Sequence, residues 1–378
     1  MKKNVVHFIT GLNTGGAEIM LLKLLSAINL DKYNILIVSL IDKGTIGHKI
    51  ESLGIKVYTL NLSRKRPVTF SLLSLPFVLK KFKPNIFHGW MYHANLLLSF
   101  ISLLYPNARV IWGIRHSLYD INKEKLLTKI VIYLCKFFSK KCTNIVFNSS
   151  VSLEQHVKYG FSENNCSVIH NGFDTKNFSP DNITEKQSNN LKTHLRIPEN
   201  KNLIGFVARF HPMKGHKNFI KAAIKVINKR EDVCFILVGP EVSNKKLYHL
   251  IPKKIRSFFY LLGERSDIAA LNSIFDISVN CSNWGEGFSN SICESMLMEV
   301  PCIATNVGES GLILKNCGVI IEPNNEELLA NSIINLLSRS LEERKEIGKL
   351  ERTRIVDNFS IEVTCMKYES LYSLNAKS

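Results

Sequence analysis

Two doubly wound α/β domains, each a Rossmann-like parallel sheet covered on both faces by helices, are the fold class this sequence predicts. Three observations lead there. The chain has 378 residues, more than a single hydrophobic core usually organises, so two domains are expected. Short, nearly continuous apolar runs rich in β-branched residues alternate with helical patterns, which is how parallel strands buried on both faces read. The runs form two series, separated by the polar tract SPDNITEKQSNN from Ser179 to Asn190.

The first series places strands at Val5–Thr10, Ile35–Ser39, Val57–Leu60, Ile86–His88, Val110–Trp112, Ile145–Asn148 and Val168–Ile169. Directly after the first strand comes GLNTGGAE, Gly11 to Glu18, and then a leucine-rich helix. Glycines at a strand-to-helix turn let a ligand approach backbone N–H groups. The G-x-G-x-x-G spacing is absent and no acidic residue ends the second strand, which argues against dinucleotide binding. His88, His93 and His116 lack carboxylate or cysteine companions at metal-ligand spacing, so no metal site is expected. His116 follows a strand at its carboxyl end, where open α/β sheets bind ligands, and is the best functional histidine. His88 is expected to be structural.

Charge is unevenly divided. Residues 1–172 contain 22 Lys+Arg against 8 Asp+Glu, leaving 27 against 24 for the remainder of this chain of net charge +17. Basic clusters occur at Arg64-Lys65-Arg66, Lys80-Lys81-Lys83 and Lys123 to Lys141. In the last, lysines alternate with Leu126, Leu127, Ile130, Val131, Tyr133, Leu134, Phe137 and Phe138. Two readings fit it: an amphipathic helix lying on anionic lipid, or a core-facing helix with a solvated lysine face. Nucleic acid is not expected as a partner, because interleaved surface aromatics and any known binding motif are missing. No apolar run approaches the ~18 residues of a membrane span. The opening MKKNVVHFITG is too short in its apolar part for a signal peptide and reads as a strand. Nine scattered cysteines without C-x-x-C spacing suit reduced thiols and a cytoplasmic setting.

The second series runs Leu203–Ala208, Phe235–Gly239, Phe259–Leu262, Ile277–Asn280, Pro301–Thr305 and Val319–Ile321. Its first strand leads into ARFHPMKG, where Arg209 and Lys214 are five apart across a loop and able to converge on a diphosphate. The stretch Trp284 to Thr305, WGEGFSNSICESMLMEVPCIAT, is the most informative in the chain. A glycine-rich turn carrying Glu286 precedes a helix carrying Glu294. A diphosphate suits such a helix N-terminus, and a carboxylate roughly 7 Å along suits a ribose. Alternatively, Ser291-x-x-Glu294 is simply a capping box.

Taken together these pieces resemble a known family. Gly15-Gly16-Ala17-Glu18 resembles its G-G-A-E turn, His170 to Asp174 its N-G-(V/F)-D turn, Arg209…Lys214-Gly215 its R-x4-K-G loop, and Glu286-x7-Glu294 its E-x7-E element. The family is the retaining family-4 glycosyltransferases of the two-domain GT-B type, whose domains face each other across a cleft. WMYHAN and IWGIRHS further resemble a subgroup building bacterial O-antigen or capsular polysaccharide. The resemblance implies that Arg209 and Lys214 hold the donor diphosphate, Glu294 the ribose and Glu286 the transferred sugar. It implies that amides at Gly15, Gly16, Phe288, Ser289 and Asn290 face phosphate or sugar, and that His116 touches sugar hydroxyls. Tyr92, His93 and Arg115 are the expected acceptor-side residues.

The implied substrates are a nucleotide-sugar, by resemblance a UDP-hexose or UDP-N-acetylhexosamine, and an oligosaccharide acceptor linked to polyprenyl diphosphate. No Asp-x-Asp occurs, so no cofactor and no metal is expected, and the cations would stabilise the leaving group. The protein is then expected on the inner face of the cytoplasmic membrane. Glu299, where the family has a small residue before x-P, and Ser289-Asn290, in place of G-L, leave the sugar open. The rivals are a nucleotide-sugar epimerase of the same fold and a basic nucleic-acid-binding protein. The expected division is a first domain 1–178, a linker 179–198, a second domain 199–358, and a helix 359–378 returning to the first.

Overall fold

A computed structural model describes residues 2–13, 15–63, 70–121 and 125–374. The basic cluster at 64–66, the start of the 123–141 stretch and Thr14 of the glycine-rich turn lie outside the described residues. The chain divides into two compact units, Met1–Gly172 with Ile361–Ser378, and Phe173–Ser360.

Among the described residues the first unit has seven strands: β1 Lys3–Ile9, β2 Tyr33–Ser39, β3 Lys56–Thr59, β4 Ile86–Trp90, β5 Arg109–Ile114, β6 Asn144–Phe147 and β7 Cys166–Val168. All pair in parallel, in the order β3-β2-β1-β4-β5-β6-β7. The crossovers are α1 Gly16–Ala27, α2 Gly44–Glu51, α3 Phe70–Phe82, α4 Tyr92–Ser102, α5 Leu126–Phe138 and α6 Ser150–Tyr159. The strands that read as unbroken apolar runs are the ones buried on both faces; β4 is buried throughout. One face packs on α1 and α2 through Leu21, Leu25 and Ile50. The other packs on α3, α4 and α5 through Leu79, Leu98 and Ile132. Between the two readings of the 123–141 stretch, α5 does face the core with Ile132 and Cys135. Its outward side, however, shows Leu126, Ile130, Tyr133 and Phe137 to solvent, so it is not a solvated lysine face.

The second unit has six parallel strands: β8 Asn202–Val207, β9 Val233–Val238, β10 Phe259–Leu261, β11 Ile277–Asn280, β12 Cys302–Thr305 and β13 Val319–Ile321. Their order is β10-β9-β8-β11-β12-β13. The helices are α7 Glu185–His194, α8 His216–Ile227, α9 Lys245–Leu250, α10 Ile268–Asn272, α11 Asn290–Leu297, α12 Ser310–Leu314, α13 Glu326–Leu337 and α14 Leu341–Phe359. The tract expected as a linker, 179–198, is ordered instead and belongs to this unit. It forms α7, whose Thr184 hydroxyl accepts from Gln187 N while the Gln187 side chain accepts from Thr184 N. Reciprocal capping of this kind stabilises a helix that has little apolar face of its own. Its polar composition therefore marks a surface helix, not an unstructured connection.

The last helix, α15 Ile361–Ser373, packs in the core of the first unit. Tyr368 and Tyr372 are fully buried there. The Tyr372 hydroxyl lies 2.7 Å from His88 Nδ1, and Trp90 Nε1 donates to His7 Nδ1 at 3.0 Å. At the end of α15, Lys3 Nζ donates to Tyr372 O at 3.0 Å and Arg109 Nη1 to Leu371 O at 2.9 Å. Cations on the final carbonyls satisfy acceptors a helix leaves open and complement its dipole.

Candidate active site

In the second sheet, successive strands step outward in opposite directions from β8 and β11. That is the topological switch point, where the loops beyond the strands diverge and leave room for a ligand. Arg209 and Lys214 lie in the loop after β8, and Glu286 lies in the loop after β11, with Glu294 on the helix that follows. The two loops are packed directly together. Gly215 sits at φ 74, and a Cβ there would fall 2.0 Å from the Cys281 carbonyl oxygen. Only glycine permits that approach. Asn283 reinforces it, donating from its backbone to Met213 O at 2.7 Å and from its side chain to Pro212 O at 3.0 Å.

This apposition joins residues 72 positions apart: Lys214 Nζ is ion-paired with Glu286 Oε1. Both side chains are largely buried, 17% and 8% exposed. The same carboxylate oxygen accepts from Ser282 Oγ at 2.6 Å, and the Ser282 carbonyl accepts from Thr305 Oγ1 at 2.6 Å. Gly308, at φ 62, lets the next loop close over Glu286, since a Cβ there would stand 2.5 Å from its carbonyl oxygen. Arg209 is exposed and makes no ion pair with a described residue. Its field is nonetheless felt. His211 is pushed below its ordinary value by burial first, and then by the charges of Arg209 and Lys214.

The capping-box reading of Ser291 and Glu294 is not what the chain does. Helix α11 begins at Asn290 with Ser289 as N-cap, and no side chain caps it. Glu294 is therefore its fifth residue, partly exposed, too far along to reach the cap. Ser289 Oγ accepts from Asn280 Nδ2 at 2.9 Å. The Phe288 ring is buried, 5.2 Å from the ring of Phe359, so only its backbone can meet a ligand. Glu299 stands just past α11 at φ 58, a left-handed conformation that favours glycine.

In the first unit the switch point lies between β1 and β4. Gly15 and Gly16 follow β1, with Gly15 the N-cap of α1, and Tyr92 and His93 follow β4. Met91 between them has φ 70, a strained geometry for a residue with a side chain, found at such sites. His116, partly exposed, follows β5; its carbonyl accepts from Ser152 Oγ at 2.7 Å, and the Tyr92 ring stands edge-on at 6.2 Å.

Two of the expected acceptor-side residues face inward instead. Tyr92 is 3% exposed, its hydroxyl 2.6 Å from His156 Nε2. Arg115 donates to Asn171 Oδ1 and, at 2.8 Å, to the Tyr368 hydroxyl, with its guanidinium 4.8 Å from the Trp90 ring. Both are held by the core; among the three, His93 alone is exposed. Sequence reasoning missed Ser282 and Thr305. Thr305 closes the informative stretch and Ser282 stands just before it, yet their importance arises only when loops from different strands meet.

Comparison with known proteins agrees with this fold. Residues 14–177 match the family described as Glycosyltransferase Family 4, and residues 187–354 match Glycosyl transferases group 1. The chain is 28% identical over 313 residues to an Escherichia coli UDP-Gal:α-D-GlcNAc-diphosphoundecaprenol α-1,3-galactosyltransferase, covering 80% of this chain and 78% of that one. It superimposes on a glycosyltransferase from Rickettsia africae with a TM-score of 0.83 at 24% identity, covering 98% of each chain. Anabaena Alr3699/HepE, crystallised with UDP, superimposes with a TM-score of 0.81 at 22% identity over 99% of this chain and 100% of that one.

Proposed function

Because the chain belongs to the glycosyltransferases, its amino-terminal half to Family 4 and its carboxy-terminal half to group 1, we propose that it moves a hexose or N-acetylhexosamine from a UDP-sugar to an oligosaccharide carried on polyprenyl diphosphate, with retention of anomeric configuration. The product would be a surface polysaccharide of the O-antigen or capsule kind. One observation carries this reading: the loops after β8 and β11 meet at the switch point, and there Lys214 and Glu286 are already paired. A donor diphosphate bears more charge than a single carboxylate. On arrival it draws Lys214 toward itself, with Arg209 beside it, and frees Glu286 to accept hydrogen bonds from sugar hydroxyls. The α11 N-terminus, without a side-chain cap, offers backbone donors to phosphate, and Glu294 one turn further accepts from the ribose. As the sugar–phosphate bond breaks, the two cations neutralise the departing diphosphate. The amides at Gly15 and Gly16, with His116 and His93, serve the sugar and the acceptor.

The UDP in the Anabaena complex and the lipid-linked substrate named for the Escherichia coli relative support the choice of donor and acceptor. No helix among the described residues is long and apolar enough to cross a membrane; in this reading the enzyme meets that acceptor at the cytoplasmic face of the membrane. The test is UDP release from candidate donors with and without a lipid-linked acceptor. Acceptor-dependent release supports transfer, and isomerisation of donor alone would replace it with the epimerase reading. Activity lost in chelator and restored by magnesium or manganese would overturn the metal-independent chemistry.

A further inference from the structure

Helices α3, α4 and α5 cover the same side of the first sheet, and their inner side chains share one buried cluster with Phe87 and Trp112. They are neighbours: the Phe100 and Phe138 rings are 5.0 Å apart, and the Tyr105 hydroxyl donates to Pro76 O at 3.3 Å. A helix that buries one side normally turns polar on the other. These do not. In α3, Phe70, Leu73 and Phe77, spaced i, i+3, i+7, are 85%, 65% and 76% exposed. In α5, Leu126, Ile130, Tyr133 and Phe137, spaced i, i+4, i+7, i+11, are exposed as well. Leu103 and Leu104, just beyond α4, extend the apolar surface. None of the three helices contains an acidic residue, while Lys80, Lys81, Lys129 and Lys136 lie on them. A cavity of about 300 Å³ at the far ends of α4 and α5 is lined by Leu103, Tyr105, Phe138 and Lys141.

We infer that this three-helix face is the surface by which the protein docks on an anionic lipid bilayer, its rings and leucines entering the headgroup boundary and its lysines meeting the negative charge. The occupant follows from charge. A second copy related by a two-fold axis would set this face against itself, lysine against lysine with no carboxylate between. Nucleic acid would engage the lysines and the rings, but would leave Leu73, Leu103, Leu104, Leu126 and Ile130 without partners. A bilayer with anionic headgroups satisfies the apolar and the basic parts together. The inference rests on the proposed membrane-linked acceptor and specifies the face that meets the membrane.

The test uses the intact protein with vesicles of phosphatidylglycerol mixed into phosphatidylcholine, and with pure phosphatidylcholine, at low salt. The protein is expected to sediment with the anionic vesicles only. Combined Phe70→Ser and Phe77→Ser should weaken that partitioning by about tenfold or more, and Lys80→Glu with Lys81→Glu should weaken it at low salt and leave the remaining binding less sensitive to salt. Both pairs are on the surface, and circular dichroism checks that the variants fold. UDP release with a water-soluble acceptor should be unchanged in both, which separates docking from chemistry. Wild-type protein that ignores anionic vesicles, variants that bind as the wild type does, or a dimer that the phenylalanine substitutions dissociate would each overturn the assignment. Vesicle binding displaced equally well by a short oligonucleotide would overturn it too.

Discussion

Lys214 and Glu286, 72 residues apart, form an ion pair where the loops after β8 and β11 meet, and neither side chain is more than 17% exposed. Each neutralises the other's charge. Lys214→Ala should lower kcat/KM for donor by about 10²–10³, the usual cost of losing one preorganised charge at a leaving group. It should also cost about 1–3 kcal/mol of stability, between the limits for exposed and fully buried pairs. Steady-state kinetics and thermal melts measure the two. Near-wild-type turnover in Lys214→Ala would remove the lysine from the chemistry.

Ser282 aims the Glu286 carboxylate, and Thr305 holds Ser282 by its carbonyl. Ser282→Ala should reduce kcat by about tenfold, through loss of one charge-assisted hydrogen bond worth about 1.5–3 kcal/mol at most. Thr305→Val should act more weakly and in the same direction. Restoration of rate by Ser282→Thr, a conservative hydroxyl, distinguishes positioning from a packing defect.

The close approach of the two loops depends on Gly215. Gly215→Ala should destabilise the second unit by at least about 2 kcal/mol, because the positive φ alone costs an L-residue about 1–2 kcal/mol and the Cβ has no room beside Cys281. Gly11→Ala, where a Cβ would meet nothing within 4 Å, should leave stability almost unchanged. Equal melting temperatures for the two variants would contradict this account.

Acid should unfold the protein through its buried imidazoles. Burial drives His7 down to about 3, His156 and His216 to about 4, and His88 well below its ordinary value. The folded protein keeps these rings neutral, whereas an unfolded chain protonates them below about 6.5. The unfolded state therefore binds more protons between about pH 6.5 and 4, and stability falls as pH falls through that window. The slope is about 1.4 kcal/mol per pH unit for each histidine. Glu18 and Glu351, whose carboxyls burial raises, act in the opposite sense but are fewer. Calorimetry should find a lower Tm at pH 5 than at pH 7, and a gentler slope in His156→Gln.

Much of this architecture is legible in the residues. The thirteen strands among the described residues read as apolar runs, because a parallel strand covered on both faces has few positions for a polar side chain. The loops carrying Arg209, Lys214, Glu286 and Glu294 are legible too, since glycines and charges cluster after strands. Side-chain direction is not. Arg115 and Tyr92 sit beside a strand end as a ligand residue would, yet Asn171, Tyr368 and His156 claim them, and those partners lie far away in sequence. Helix α5 is apolar on two sides, so its periodicity alone cannot say which one the sheet covers. The polar tract before β8 hid a helix because its stability lies in caps and not in an apolar stripe.

Helix α15 completes the core of the first unit, although it is made after every residue of the second. During synthesis the stretch from Phe173 to Ser360 can settle as a continuous piece. The first unit's core, with His7, His88 and Trp90, lacks Tyr368 and Tyr372 against it until 361–373 arrives. The first unit is therefore closed only by residues translated after the whole of the second.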